Sequence, residues 1–203
     1  EDELIYQLND SQSDVLLVDR LDRSLMYGNR ISFNQVTGAS NKRFQIDAEW
    51  PKDRTITIMY TSGTTGKPKG VRQTLENHVM SAMGSALNLG VQPNDCWLCA
   101  MPLFHISGFS ILMRSVLYGM TVSLHTKFDA NKSIEEILNG TVTRMSVVAV
   151  TLERLISVLE ERNQTFPDTF QSMLVGGGPV PLHYLERAIK CKIPVLQTYG
   201  MTE

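Results

Sequence analysis

No run of eighteen apolar residues occurs in this chain, so no segment reads as a membrane-spanning helix. The acidic start, Glu1-Asp-Glu3, is not that of a secretory signal peptide. Excess positive charge is missing too. With 19 Lys and Arg against 21 Asp and Glu, the formal net charge is −2. That leaves no overall basic footprint for nucleic acid or an anionic membrane. Cysteine is scarce and odd in number, at three, with two in Cys96-Trp-Leu-Cys99. A metal or redox pair there would need further ligands or a thioredoxin-like setting, and neither is visible. On a strand, residues three apart face opposite sides, which also argues against a shared metal. A reduced, cytoplasmic protein is the simpler reading. Two common nucleotide fingerprints are absent. Lys67 is followed by Pro68 and Lys69 by Gly70, so there is no Walker loop, and no Gly-x-Gly-x-x-Gly spacing occurs.

What the chain does have is 203 residues with 42% hydrophobic content, enough to bury a sizeable core in one domain or two closely packed lobes. It also has the stretch Tyr60-Thr-Ser-Gly-Thr-Thr-Gly-Lys-Pro-Lys-Gly70. This stretch starts where the alternating strand pattern Thr55-Ile-Thr-Ile-Met-Tyr60 ends, and it stops before a helical pattern opening near Thr74. Between them lie three glycines, four hydroxyl side chains and two lysines. Glycine lets backbone N–H groups turn toward one point, hydroxyls add donors, and lysine adds positive charge. A Gly/Ser/Thr-rich stretch taken alone reads as a flexible polar loop; this set of donors suits a polyphosphate.

The remaining pattern alternates strands and helices. Residues 1–33 give a helix end and a buried strand at residues 15–18, and residues 34–54 read as irregular connection. A helix from Thr74 to Gly90 carries Val79, Met83, Ala86 and Leu87 on one face. Strands follow at residues 96–101, 120–124, 145–150, 171–175 and 194–198. Helices follow at residues 107–118, 129–138 (capped by Asp129), 152–162 (capped by Thr151) and 181–190. Such repetition predicts an α/β fold, a mostly parallel sheet with helices on both faces. Ligands then bind beyond the carboxyl ends of the strands. Three unusual loops follow strand ends: residues 61–70, Gly176-Gly-Gly-Pro179, and Tyr199-Gly-Met-Thr-Glu203. They are expected to converge on one cleft. His78, His125 and His183 read as surface or helix-packing residues, and Met80, Met83, Met101 and Met113 as core.

The glycine-rich string closely resembles the phosphate-binding signature of the adenylate-forming superfamily, which includes acyl- and aryl-CoA ligases, luciferases and peptide-synthetase adenylation domains. Tyr199-Gly-Met-Thr-Glu203 matches a second signature, Tyr-Gly-x-Thr-Glu, in the same order. The resemblance covers about residues 56–203 and implies the large N-terminal domain of such an enzyme. Residues 1–54 would be a partial N-terminal lobe and connection, and residues 55–203 the nucleotide- and acyl-binding lobe. Both ends read as interior to a longer polypeptide whose small C-terminal lid domain lies beyond Glu203.

The resemblance implies roles residue by residue. Thr61, Ser62, Gly63, Thr64, Thr65, Gly66 and Lys67 would hold the β- and γ-phosphates of ATP, with Lys69 offsetting their charge during catalysis. Gly176, Gly177 and Gly178 would line the adenine and acyl pockets beside Thr198, Tyr199 and Gly200, with Tyr199 stacked on adenine. Thr202 would reach the α-phosphate and Glu203 would ligate Mg²⁺, a hard cation that prefers oxygen. Phe104, His105, Ser107 and Gly108 would line the acyl pocket and gate the entry of coenzyme A. A lone histidine in an apolar setting is more often a structural residue. Amino-acid-activating relatives are expected to carry an aspartate between residues 102 and 108, and this chain has none. An amino acid would leave its ammonium unpaired, so the expected substrate is a carboxylic acid without an α-amine.

The implied activity is an AMP-forming acid–thiol ligase with ATP, Mg²⁺ and coenzyme A. Within the superfamily the sequence is most similar to the o-succinylbenzoate–CoA ligases of menaquinone biosynthesis. The piece alone is expected to be inactive without its lid. The expected partners are small molecules, with no nucleic acid and no membrane insertion; a homo-oligomer is compatible with the sequence. Another aryl- or fatty-acyl-CoA ligase, a stand-alone carrier-protein adenylation domain and a non-catalytic nucleotide-binding module stay open.

Overall fold

A computed structural model describes residues 2–19, 28–38, 49–61 and 66–203. The chain divides into two compact units, Glu1–Leu75 and Glu76–Glu203. The boundary falls after the glycine-rich segment rather than before it at residue 54. The physical reason is a second strand that sequence periodicity did not suggest.

In the first unit, helix α1 (Asp2–Asp10) precedes a short parallel pair, β1 (Leu16–Val18) and β2 (Arg30–Ser32). Helix α2 (Phe33–Thr37) runs into the segment expected to be irregular. Ser32 and Gln35 close it with a capping box, each side chain bonding the other's backbone N–H. Strand β3 (Thr55–Thr61) stands where alternation placed it, but it pairs antiparallel with β4 (Lys69–Thr74) and is outside the parallel sheet. Thr61 sits opposite Lys69, so the glycine-rich stretch is the connection of a β-hairpin, not a strand-to-helix turn. Little in Lys-Gly-Val-Arg-Gln-Thr favours a strand; pairing with β3 makes it one. Helix α1 buries only Leu8 and is fastened to this hairpin by two tyrosines. The Tyr60 hydroxyl donates to Asp10 Oδ2 at 2.7 Å and lies 3.1 Å from the Gln7 carbonyl. Burial and the Asp10 carboxylate push its pKa up to about 12.

The second unit holds a five-stranded, all-parallel sheet in the order β6-β5-β7-β8-β9. The strands are β5 (Cys96–Cys99), β6 (Thr121–Leu124), β7 (Arg144–Val148), β8 (Ser172–Gly176) and β9 (Val195–Gln197). Strand alternation divides the core in two. On one face Cys96, Leu98, Met145, Val147, Met173 and Val175 pack against α5 (Ala130–Leu138), α6 (Ala149–Glu161) and α7 (Leu182–Lys190). On the other, Trp97, Cys99 and Met120 pack against Ile111 of α4 (Ile106–Tyr118) and the end of α3 (Leu75–Leu89). Helices therefore cover both faces, as expected. Cys96 and Cys99 point to opposite sides, and all three cysteines are buried free thiols whose pKa values burial pushes up. No described helix is long and apolar enough to cross a membrane.

Several details correct the sequence reading. Helix α3 buries His78 and Ala82, while Met80, Met83 and Leu87 are exposed. Helix α6 starts at Ala149 without a side-chain cap, placing Thr151 inside it. His78 is a helix-packing residue, in line with the sequence reading: it packs on Phe109 of α4, with ring centroids 5.4 Å apart, and burial pushes its pKa down. His125 is not a surface residue: its Nε2 lies 3.0 Å from Glu136 Oε1, and Ser123 donates to the second carboxylate oxygen. Burial pushes Glu136 up, but the bonds from Ser123 and His125 outweigh it and hold the carboxyl below its usual range.

The amino ends of the strands meet at one buried ion pair. Arg144 Nε lies 3.0 Å from Asp95 Oδ2, both side chains almost fully buried. Arg144 also donates to Gln171 and Ser172, Thr143 donates to Asp95, and the Gln92 amide does the same. Asp95→Asn leaves the guanidinium uncompensated. It should lower the unfolding free energy by about 3–5 kcal/mol in urea melts. At the other end of β5, a Cβ on Gly108 would lie 2.4 Å from the Pro102 carbonyl oxygen and 2.8 Å from that of Met101. Gly108→Ala should cost about 1–3 kcal/mol in the same assay by forcing backbone apart, and an unchanged midpoint would contradict that close approach.

Candidate functional site

The carboxyl ends of the parallel strands open into a cavity of about 280 Å³. Met101 after β5, residues 146–148 at the end of β7, Leu174 and Gly176 of β8 with Gly177 just beyond, and residues 198–201 after β9 form its walls. Ile106, Ser107, Ser110 and Arg114 of α4 and Ser81 of α3 complete them. The sheet thus brings together Ser107, Gly176, Gly177, Thr198, Tyr199 and Gly200 from three distant sequence positions. A second cavity of about 460 Å³ adjoins it and shares Ser81, Arg114, Leu174, Thr198 and Tyr199.

The glycines matter here for backbone reasons. Gly177 has φ +82°, a conformation L side chains rarely adopt, and lies against the Val148 side chain. Next to it, the Thr198 amide donates to the Val175 carbonyl at 2.8 Å and holds the third loop against β8. Beyond that bond the Tyr199 ring is 91% exposed, a free flat surface at the cavity wall. Gly178, Thr202 and Glu203 belong to the same loops but are not among the lining residues; Glu203 is exposed.

The segment before α4 places its residues differently. Phe104 and His105 are exposed, their rings 4.5 Å apart, and neither lines the cavity. His105 is the N-cap of α4 without a side-chain cap bond. Gly108 is buried, and its tight approach to the Pro102 carbonyl makes it a packing residue. Ser107 alone of this group faces the cavity.

In the first unit, Thr61 ends β3, Lys69 opens β4 and is exposed, and Gly66 adopts φ +95° in the connection. Ser62, Gly63, Thr64 and Thr65 lie outside the described residues. Lys67 Nζ sits 5.6 Å from the Tyr6 ring centroid.

One residue escaped the sequence reading. Arg114 is the only charged residue between His105 and His125, on a helix otherwise apolar or hydroxylic, and that solitary charge was the available signal. Its guanidinium lies over the Trp97 ring at 5.0 Å, and its Nε is buried without a hydrogen-bond partner. Among the described residues no carboxylate pairs with it. Burial pushes its pKa down, yet a guanidinium stays charged. A half-buried cation without a carboxylate partner, at a wall shared by two cavities and lined also by Ser81, Ser107 and Ser110, favours a bound anion. The donor set also bears on a metal. No group of three His, Cys, Asp or Glu gathers among the described residues. Mg²⁺ held by one carboxylate plus substrate phosphates needs no such group, so a lone Glu203 fits.

Comparison with known proteins gives these features a family. Over 206 residues the chain is 50% identical to the 2-succinylbenzoate–CoA ligase of Geobacillus sp. (strain WCH70), covering 99% of this chain and 41% of that protein. Over 204 residues it is 46% identical to the 2-succinylbenzoate–CoA ligase of Bacillus subtilis (strain 168), with the same coverage. The o-succinylbenzoate coenzyme A synthetase of Bacillus subtilis, solved in complex with ATP and magnesium ion, matches with a TM-score of 0.90 at 45% identity. That match covers 100% of this chain and 42% of the solved one. The chain therefore spans about two fifths of the length of the curated relatives it matches. The family model described as AMP-binding enzyme matches residues 1–203, and the chain belongs to that family.

Proposed function

We propose that this chain is the nucleotide- and acid-binding part of an ATP-dependent carboxylate–CoA ligase acting on an aromatic dicarboxylate of the o-succinylbenzoate type. The observation that carries the substrate class is Arg114. One carboxylate of such a substrate reacts; the other needs a cation in a desolvated pocket, and the Arg114 guanidinium lines the cavity with no acid among the described residues to neutralise it. The named ligases at 46–50% identity support the same substrate.

In this reading the reactive carboxylate oxygen attacks the α-phosphorus of ATP. The bond to the pyrophosphate oxygen breaks, and acyl-adenylate and pyrophosphate result. The thiolate of coenzyme A then attacks the acyl carbon and expels AMP. Positioning and charge neutralisation supply most of the catalysis. The Tyr199 ring stacks on adenine, and the backbone of Gly176 and Gly177 lets a flat group lie close without meeting a Cβ. Thr202 donates toward the α-phosphate, and Glu203 offers a carboxylate oxygen to Mg²⁺, which supplies charge neutralisation at the phosphates. Residues 61–67 and Lys69 grip the β- and γ-phosphates. Ser107 lines the acid pocket, and the exposed Phe104 and His105 on the segment before it meet the incoming coenzyme A. Three buried free thiols agree with a reducing compartment, and we take the protein to be cytoplasmic.

The test is ATP–pyrophosphate exchange by the intact protein across aromatic and aliphatic mono- and dicarboxylates. o-Succinylbenzoate should give the fastest exchange. Arg114→Met should raise its KM about 10- to 100-fold with a smaller effect on a monocarboxylate, the size expected for losing a charged hydrogen bond. Equal losses on both acids would remove Arg114 from substrate recognition. Lys69→Ala and Glu203→Ala should each lower kcat about 100-fold or more. Unchanged turnover would favour a nucleotide-binding module without catalysis.

A further inference from the structure

Helix α1 has too little core of its own to explain where it sits. It buries Leu8 alone, and what it touches is the base of the glycine-rich connection. The Tyr6 hydroxyl donates to the Pro68 carbonyl at 3.2 Å, and Lys67 Nζ lies over the Tyr6 ring. Edge-on packing against Tyr60, with centroids 6.4 Å apart, sets the plane of the Tyr6 ring. Tyr60 is in turn tied to Gln7 and Asp10 of the same helix. The two tyrosines thus form a reciprocal latch between helix and hairpin.

The place where the latch acts is informative. The β3–β4 ladder ends at the Thr61–Lys69 pair. Pro68, one residue beyond, has no N–H and cannot extend it. The bond from Tyr6 to the Pro68 carbonyl holds the chain one residue further in than the ladder does. The hold on Lys67 has a particular chemistry. Among the described residues no carboxylate pairs with Lys67. An acid would fix the ammonium and cancel its charge, whereas a ring face restrains it and leaves the charge available to an anion.

We propose that Tyr6 is a positioning residue for ATP binding: it restrains Lys67 and Pro68 so that the turn meets the triphosphate already arranged. The inference rests on the reading of residues 61–69 as the phosphate-binding turn. Loss of the latch acts on binding, because the ordering must then be done when ATP arrives.

The test uses Tyr6→Phe, which keeps the ring and loses the hydroxyl, and Tyr6→Leu, which loses both. In the intact protein, Tyr6→Leu should raise the KM for ATP about 3- to 10-fold with kcat at saturating ATP within about twofold, and Tyr6→Phe should fall between it and wild type. Without ATP, trypsin should cut after Lys69 faster in Tyr6→Leu by a similar factor. In a Lys67→Gln background the step from Phe to Leu at position 6 should have no further effect, since the ring then holds no cation. A wild-type KM and cleavage rate in Tyr6→Leu overturn the proposal, as does an undiminished Phe-to-Leu step in the Lys67→Gln background. If wild type itself exchanges ATP with no acid, the ligase reading falls instead, and the cleavage rates still decide whether Tyr6 restrains the turn.

Discussion

The Asp95–Arg144 ion pair is the constraint on which the second unit depends. It joins the segment entering β5 to the first residue of β7, and through Gln171 and Ser172 it reaches the start of β8. The Asp95 carbonyl accepts the Thr121 amide and brings in β6. Such a pair gains little net free energy over an apolar substitute, but it tolerates only one arrangement of its partners. A parallel sheet has no hairpins to set its register. Here a charge network at the amino ends does so, and the carboxyl ends are thereby placed to within a residue.

What those ends provide is mostly backbone and space. The cavity walls combine glycines, serines, Thr198 and the face of Tyr199 with apolar side chains such as Ile106, Val148 and Leu174, and Arg114 is the one cation among them. A slip of one residue in β8 would turn Val175 toward the site and carry Gly176 and Gly177 out of it. The packing of Phe166, Leu155 and Leu159 on the opposite face, far from any chemistry, resists that slip.

The protein handles its cations in two ways. Arg144 and Arg187 are paired with acids and serve structure: Arg187 binds Glu160 and Glu153, and the Glu160 bond raises its pKa. Lys67 and Arg114 are held over aromatic rings instead, by Tyr6 and Trp97. A ring supports a cation without discharging it. The proposed ligands are anions at both positions, a triphosphate and a carboxylate. The same device therefore serves both units, on unrelated local structure.

Much of this was legible in the residues alone. Strand–helix alternation over residues 96–198 was enough for a parallel sheet, because the β-branched and apolar runs there are bounded by caps and glycines that act locally: Asp129 caps α5, and Gly119 ends α4 at φ +68°. The glycine turns and the Tyr-Gly-Met-Thr-Glu string identified the family for the same reason, since backbone conformation and donor chemistry belong to consecutive residues. Strand β4, the burial of His125, the exposed Met80 and Met83, and the surroundings of Arg114 and Tyr6 were decided only in the folded chain. Each depends on a partner many positions away, whether β3, Glu136, Trp97 or Pro68, and on how surfaces pack, which periodicity along one segment does not encode.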